Sequence, residues 1–230
     1  MAQESIRAGS ASVRSTEEQY AEAIGLLEEL GAPVGTAAIA ESLHLSMPSV
    51  SEMLKRLADK GLVGYVPYEG AALTEEGKRL FSSVIRRHRL WEVFLTRNLH
   101  IPWHEVFEHA CLLEHATADM VADRLDAFLG HPQLCPHGSP IPHADGVWPQ
   151  SPGRPLLDME AGATYRVERV LQENDSECLT FLSDREVLPG ALVRLVDIAA
   201  YDGTVTLEVN SHMVAMGRKV ASRLCVTPVP

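Results

Sequence analysis

Over residues 16–79 the order of apolar periodicities restricts the fold more than any other feature of the chain. Ile24, Leu26, Leu27 and Leu30 recur at near-helical spacing, and Gly31 stops the run. Thr16, with Glu18 and Gln19 downstream, is placed to open this helix. A second short helix is expected over Thr36–Leu43, with Ile39, Ala40 and Leu43 inward. After a turn at His44–Leu45, Ser46 caps a third helix that carries Pro48 in its first turn. Val50, Met53, Leu54 and Leu57 lie on one face of that helix. Leu62–Val66 and Ala72–Thr74, on either side of Gly70, predict a two-stranded hairpin. This is the element order of a winged helix-turn-helix, whose third helix enters the DNA major groove. Ser46, Pro48, Ser49, Ser51 and Glu52 are then the base-facing candidates, and Lys55, Arg56 and Lys60 the phosphate contacts. Glu52 would accept from cytosine N4 but repels phosphate. A generic helical bundle with a solvated polar face explains the helices, but not the cap, the exit glycine and the hairpin together.

A net charge of −11 looks wrong for a DNA binder, so its distribution matters. Residues 1–100 hold 11 basic and 13 acidic side chains, against 9 and 18 in residues 101–230. The acid is concentrated away from the winged helix, and dimerisation or bound cations would have to offset it. The 230 residues suit two or three small domains. Residues 1–15 lack an apolar core and read as a disordered arm rather than a signal peptide, and no apolar run is long enough to span a membrane. Cys111, Cys135, Cys178 and Cys225 are scattered, which fits a reducing, cytoplasmic setting rather than a disulfide framework.

A long helix is expected from Thr74 to about Asn98 and a second helical unit from Trp103 to about Leu129. A Pro-rich stretch then runs to Pro155. From residue 156 onward, short strands at Tyr165–Val170, Leu192–Val196, Thr204–Val209 and Arg223–Val226 suggest an SH3-like β-barrel, with a short helix at 176–182. The fold class is mainly α with a small β part.

Chemistry concentrates on the two central helical stretches. Cys111, Glu114 and His115 have i, i+3, i+4 spacing and share one face, as do His88 and Glu92. A thiolate, a carboxylate and an imidazole within one turn suit a first-row transition metal, and the soft sulfur argues against magnesium or calcium. Cys111 with His115 as nucleophile and base is less apt, because i, i+4 side chains project side by side. Cys135 and His137 are too close for a zinc-ribbon knuckle, and read alone they are as much loop residues as ligands.

With the segments 86–92 (RRHRLWE), 108–115 (EHACLLEH) and 135–142 (CPHGSPIP), the chain resembles the diphtheria-toxin-repressor family of iron- and manganese-dependent regulators. The resemblance runs through about residues 16–143 and more weakly through 156–230. It implies a winged-helix domain at 16–79, a helical dimerisation and metal-binding domain at 80–144, a linker at 145–155 and an SH3-like (FeoA-like) domain at 156–230. It also implies a homodimer on palindromic double-stranded operators, and two sites per subunit for Mn(II) or Fe(II), with Zn(II), Co(II) or Cd(II) able to substitute in vitro. Cys111, Glu114 and His115 match the primary site. Gln19 stands where the family's first helix completes that site, usually with Met or Asp; Glu22 or Glu18 is the substitute for its weak neutral oxygen. His88, Glu92, Cys135 and His137 match an ancillary site, while Phe107 replaces a histidine that iron-sensing members use. Glu173 or Asp175 is the expected carboxylate from the C-terminal domain. The resemblance thus implies a repressor of metal-homeostasis genes rather than an enzyme. A metal-dependent enzyme on this scaffold, or a metal-independent regulator with a peptide-binding SH3-like domain, is the other reading.

Overall fold

The computed structural model describes residues 11–151 and 153–229. Much of the expected arm, residues 1–10, lies outside the described residues. Helix α1 spans Ala11–Glu28, so Thr16 sits inside it rather than capping it. The chain forms two compact units, the first comprising residues 1–88, 111–124 and 142–147, and the second 89–110, 125–141 and 148–230.

In the first unit, α1 is followed by α2 (Thr36–Ser42) and α3 (Met47–Asp59). Ser46 caps α3 by accepting from Ser49 N at 3.3 Å, with Pro48 in the first turn as its fixed φ favours. Val50, Leu54 and Leu57 are buried on one face of α3 while the opposite face stays polar. Ile24 and Leu26 join the same core, but Leu30 is exposed, because α1 has ended before it.

Strands β1 (Val63–Val66) and β2 (Gly70–Leu73) form the antiparallel wing, with Val63 opposite Leu73. Val34 adds a bridge to Ala71 through reciprocal N–H···O bonds of 2.8 and 2.9 Å. A Cβ on Gly70 would lie 2.5 Å from the Val34 carbonyl oxygen, and its φ of +123° is closed to other residues. Glu28 Oε1 accepts from Leu73 N at 2.7 Å, which ties the end of α1 to the wing. The long helix α4 (Glu75–Leu99) begins directly after the wing.

Instead of one helix over 103–129 there are two, α5 (Val106–Glu114) and α6 (Asp119–Phe128). Between them the chain tightens: the Ala116 and Thr117 amides bond back to Leu113 and Glu114, and Thr117 Oγ1 donates to the Leu113 carbonyl at 2.7 Å.

The second unit is built on a six-stranded antiparallel SH3-like sheet of β3 (Arg154–Pro155), β4 (Thr164–Val170), β5 (Leu192–Ile198), β6 (Val205–Val209), β7 (His212–Met216) and β8 (Leu224–Pro228). Their order is β3-β8-β4-β5-β6-β7, and bulges in β4 and β5 shift the register. Helix α7 (Ser176–Ser183) packs Leu179 and Leu182 into the core with Val167, Val193, Leu195 and Leu207, and a one-turn α8 (Arg218–Ala221) precedes β8. Strand β7 escaped the sequence analysis because its outward Met213 and Ala215 are weak strand formers. It is produced by a two-residue turn in which Asn210 and Ser211 both have positive φ, the geometry of a type I′ hairpin.

Helical Gly77 tests the join between wing and α4. A Cβ there would lie 2.0 Å from the Leu62 carbonyl oxygen. Gly→Ala inside a helix normally stabilises by about 1 kcal/mol. Gly77→Ala is expected to reverse that sign and to destabilise by about 1–3 kcal/mol through overpacking. Urea unfolding followed by circular dichroism measures it; an unchanged or higher midpoint contradicts this account of the join.

Candidate metal centres

Among the described residues, two clusters of ligand-type side chains form, one in each unit. In the first, Glu22, Cys111, Glu114 and His115 offer donor atoms that all lie within 4.8 Å of one another. Metal–ligand bonds of about 2.0–2.3 Å require such spacing. Glu22 comes from α1, and Cys111 and Glu114 from α5, with His115 in the turn that ends it. Glu22 and Glu114 are both buried. The buried Glu114 Oε1 and His115 Nε2 face each other at 3.3 Å without forming a hydrogen bond. A centre of this kind, in which a carboxylate oxygen and an imidazole nitrogen face each other unbonded beside a thiol and a second carboxylate, fits a cation.

Gln19 is exposed on α1, whereas Glu22, one turn later, is buried with its carboxylate in this cluster. Residues three apart on a helix differ by about 60° in direction, enough to turn one outward and the other inward. Glu18 serves differently. Its Oε2 accepts from His115 Nδ1 at 3.1 Å, and Arg87 Nη2 donates to its Oε1 at 2.7 Å. That leaves His115 Nε2 directed at the cluster, the usual arrangement of a carboxylate behind a metal-binding imidazole. The hydrogen bond to Glu18 raises the His115 pKa, helped by the nearby Glu114 charge. Burial, with the Glu22 and Glu114 charges, pushes the Cys111 thiol up to about 12, so a bound cation is needed to hold it as thiolate.

His88 also belongs here rather than at the ancillary site. Its Nδ1 lies 2.6 Å from Glu114 Oε2 and 3.4 Å from Glu22 Oε1. His88 and Glu92 are adjacent turns of α4, and each meets a different set of partners.

The second cluster is Glu92, Cys135, His137 and Glu173, again with donor atoms within 4.8 Å and with all four residues buried. His137 Nε2 donates to the Trp103 carbonyl at 2.8 Å, which leaves Nδ1 facing Glu92 Oε1 at 3.3 Å and Cys135 Sγ at 3.9 Å. Burial opposes charge on His137, but the Glu92 and Glu173 carboxylates overcome it and raise its pKa. Burial and the same two carboxylates raise the Cys135 thiol. The loop is held tightly: Val170 N donates to the His137 carbonyl at 2.9 Å, and Gly138, at φ +84°, leaves only 2.0 Å between a would-be Cβ and the Glu168 oxygen. Arg89, fully buried, reaches the Pro140 carbonyl at 2.8 Å and Glu173 Oε1 at 3.3 Å. Asp175 is engaged elsewhere, capping α7 at Cys178 N (2.9 Å) and accepting from Arg223 at 2.7 Å.

The DNA-type face of the first unit is α3. Ser46, Pro48, Ser49, Glu52, Lys55, Arg56 and Lys60 are exposed and Ser51 partly so. Two of the expected phosphate contacts already have acidic partners: Arg56 pairs with Glu52, and Lys60 with Glu17 of α1. Met47, an exposed apolar residue at the start of α3, carries no pattern in the sequence that marks it. The supporting roles of Glu18, Arg87 and Arg89 leave no spacing signal either, because their partners lie on other elements.

The fold is that of a winged-helix DNA-binding protein, and it carries side-chain clusters of a kind that can hold a divalent metal. Three family models match in sequence order: "Iron dependent repressor, N-terminal DNA binding domain" over residues 13–71, "Iron dependent repressor, metal binding and dimerisation domain" over 74–143, and "FeoA domain" over 154–228. The chain belongs to the iron-dependent repressor family. It is 35% identical over 209 residues to the iron-dependent repressor IdeR of Mycobacterium tuberculosis, covering 86% of this chain and 90% of that protein. It is 33% identical to the diphtheria toxin repressor of Corynebacterium diphtheriae, covering 87% and 92%. Among solved structures, the manganese regulator SloR superposes with a TM-score of 0.82 at 33% identity, covering 93% of this chain and 98% of that one. A manganese-dependent transcriptional repressor in complex with manganese gives 0.84 at 32% identity, covering 93% and 100%.

Neighbouring carboxylates separate the geometry from the sequence pattern. Glu22→Gln is expected to weaken Mn(II) binding by roughly tenfold or more, whereas Gln19→Ala leaves it within about twofold. Asp175→Ala is expected to lower stability by about 1 kcal/mol through loss of the cap, without a change in metal affinity. Isothermal titration and thermal unfolding of the three variants provide the readouts, and a Gln19→Ala loss equal to that of Glu22→Gln would sink the assignment.

Proposed function

We propose that this chain is a metal-responsive transcriptional repressor with two cation sites per subunit, activated by Mn(II) or Fe(II). The observation that carries the reading is the primary cluster itself, in which Glu22 from the first helix of the DNA-binding domain meets Cys111, Glu114 and His115 of the following domain. A bound divalent ion supplies there the positive charge that lets buried carboxylates and a thiolate sit together. Glu22 then holds α1, and with it the whole winged helix, in one orientation. Glu18 and Arg87 keep His115 turned toward the cluster, and His88 braces Glu22 and Glu114. The ancillary cluster of Glu92, Cys135, His137 and Glu173 fixes the Cys-Pro-His-Gly loop against the C-terminal domain.

A homodimer is the assembly in this reading. Leu112, Met120 and Val121 on α5 and α6 are 76%, 72% and 45% exposed, an apolar surface suited to a two-fold partner. Two recognition helices on such a dimer read a palindromic operator whose half-sites lie about 34 Å apart. Cation binding favours the head orientation that fits both grooves, so occupancy and operator binding are linked. Mixed carboxylate, imidazole and thiolate donors suit both Mn(II) and Fe(II), and the relatives are named for one or the other. Action on DNA places the protein in the cytoplasm, and its repressor role assigns it no catalytic step.

Operator fragments selected from random-sequence DNA are expected to bind the protein in Mn(II) or anaerobic Fe(II) and to be released by chelator. Glu114→Ala or His115→Ala is expected to abolish the metal-dependent part of this affinity while sedimentation still reports a dimer. Binding that persists unchanged in chelator contradicts metal control, and unchanged affinity in both variants contradicts the primary-site assignment.

A further inference from the structure

The ancillary cluster poses an access problem. Glu92, His137 and Glu173 are at most 1% exposed and Cys135 is 5% exposed, so a cation needs a route to reach them. A cavity of about 220 Å³ adjoins the cluster, with His104, Glu105, Glu108, His109, Asn174 and Glu173 among its walls. The space is open to solvent and has room for several water molecules, so a hydrated ion can enter it. Glu105, Glu108 and His109 are exposed at its rim, with Glu108 in the first turn of α5.

Glu173 belongs to both places. Its Oε1 is committed inward, 3.3 Å from Arg89 Nη2 and 3.8 Å from Cys135 Sγ. Its Oε2 is buried and has no hydrogen-bond partner. His104, on the same cavity, likewise has a buried Nδ1 without a hydrogen bond, while its Nε2 lies 3.6 Å from Glu105. Three carboxylates and two imidazoles line this small space beside Phe107, with no lysine or arginine among its walls, a donor set that suits a hydrated divalent cation.

We propose that this cavity is the loading port of the ancillary site. Glu108, Glu105 and His109 capture the hydrated ion at the rim, His104 replaces one of its waters, and the free oxygen of Glu173 draws it inward to Cys135 and His137. Cys135 would hold the ion as a thiolate, its thiol proton being released to solvent. The rim residues Glu105, Glu108 and His109 speed entry and exit equally, because they are not part of the final coordination set.

The inference rests on the ancillary-site reading, and the test separates the two. Co(II) is the probe, since its bond to a thiolate gives a charge-transfer absorption. Cys111→Ser is the common background, so that the band reports Cys135 alone. If no band forms there, or if Cys135→Ser does not remove it, the ancillary reading fails. With the band present, stopped-flow mixing gives the loading rate. Glu108→Gln together with His109→Gln is expected to slow loading by roughly tenfold, from lost capture and local charge. Dissociation into excess chelator is expected to slow in parallel, with equilibrium affinity held within twofold. Glu186→Gln, an exposed carboxylate away from the cavity walls, is expected to leave the rate unchanged. An unchanged loading rate in the rim variant, an affinity loss without a rate change, or equal slowing by Glu186→Gln would overturn the port.

Discussion

Two buried carboxylates and one imidazole govern the rest of the first unit. Glu22 and Glu114 approach the same His88 nitrogen at 3.4 and 2.6 Å, away from solvent. Like charges held in a medium of low polarity repel far more strongly than in water, so the pair is stable only with protons or a cation between them. That repulsion sits where α1 meets α5, and in the proposed repressor it is the point at which a cation would act on the DNA-binding domain. Arg87 sits behind Glu18 rather than within the cluster, so it steadies the support without cancelling the repulsion.

The second unit applies the same physics to a loop. Cys135 and His137 are brought onto Glu92 by a chain reversal that Gly138 permits, and Arg89 offsets part of the Glu173 charge from within the core. A buried arginine removed from water is costly unless its hydrogen bonds are made, and the Pro140 carbonyl and Glu173 supply two of them. The loop is thus fixed from both sides, by the sheet through Val170 and by the helix through Glu92.

Most of the architecture was legible because it rests on local rules. Ser46 and Pro48 announce α3, and Gly70 marks the wing, since these residues act through their own backbone. The ligand types on α5 were legible for the same reason, as i, i+3, i+4 spacing translates directly into a shared face. Where partners come from other elements, spacing is silent. Gln19 and Glu22 both lie on α1, and only packing shows which one turns inward. His88 and Glu92 share a face yet part company, because α5 meets one and the Cys-Pro-His-Gly loop the other. The break in the helix after Glu114 and strand β7 were missed where turn hydrogen bonds and positive φ override composition.

The single bond from Leu73 N to the Glu28 carboxylate, with the Val34–Ala71 bridge beside it, has a mechanical consequence. Glu22 and Glu28 lie on the same helix, one at the sensing cluster and the other on the wing. A tilt of α1 therefore carries the wing with it, as a lever carries its load. Control of such a winged-helix head acts on its angle of approach rather than on its grip.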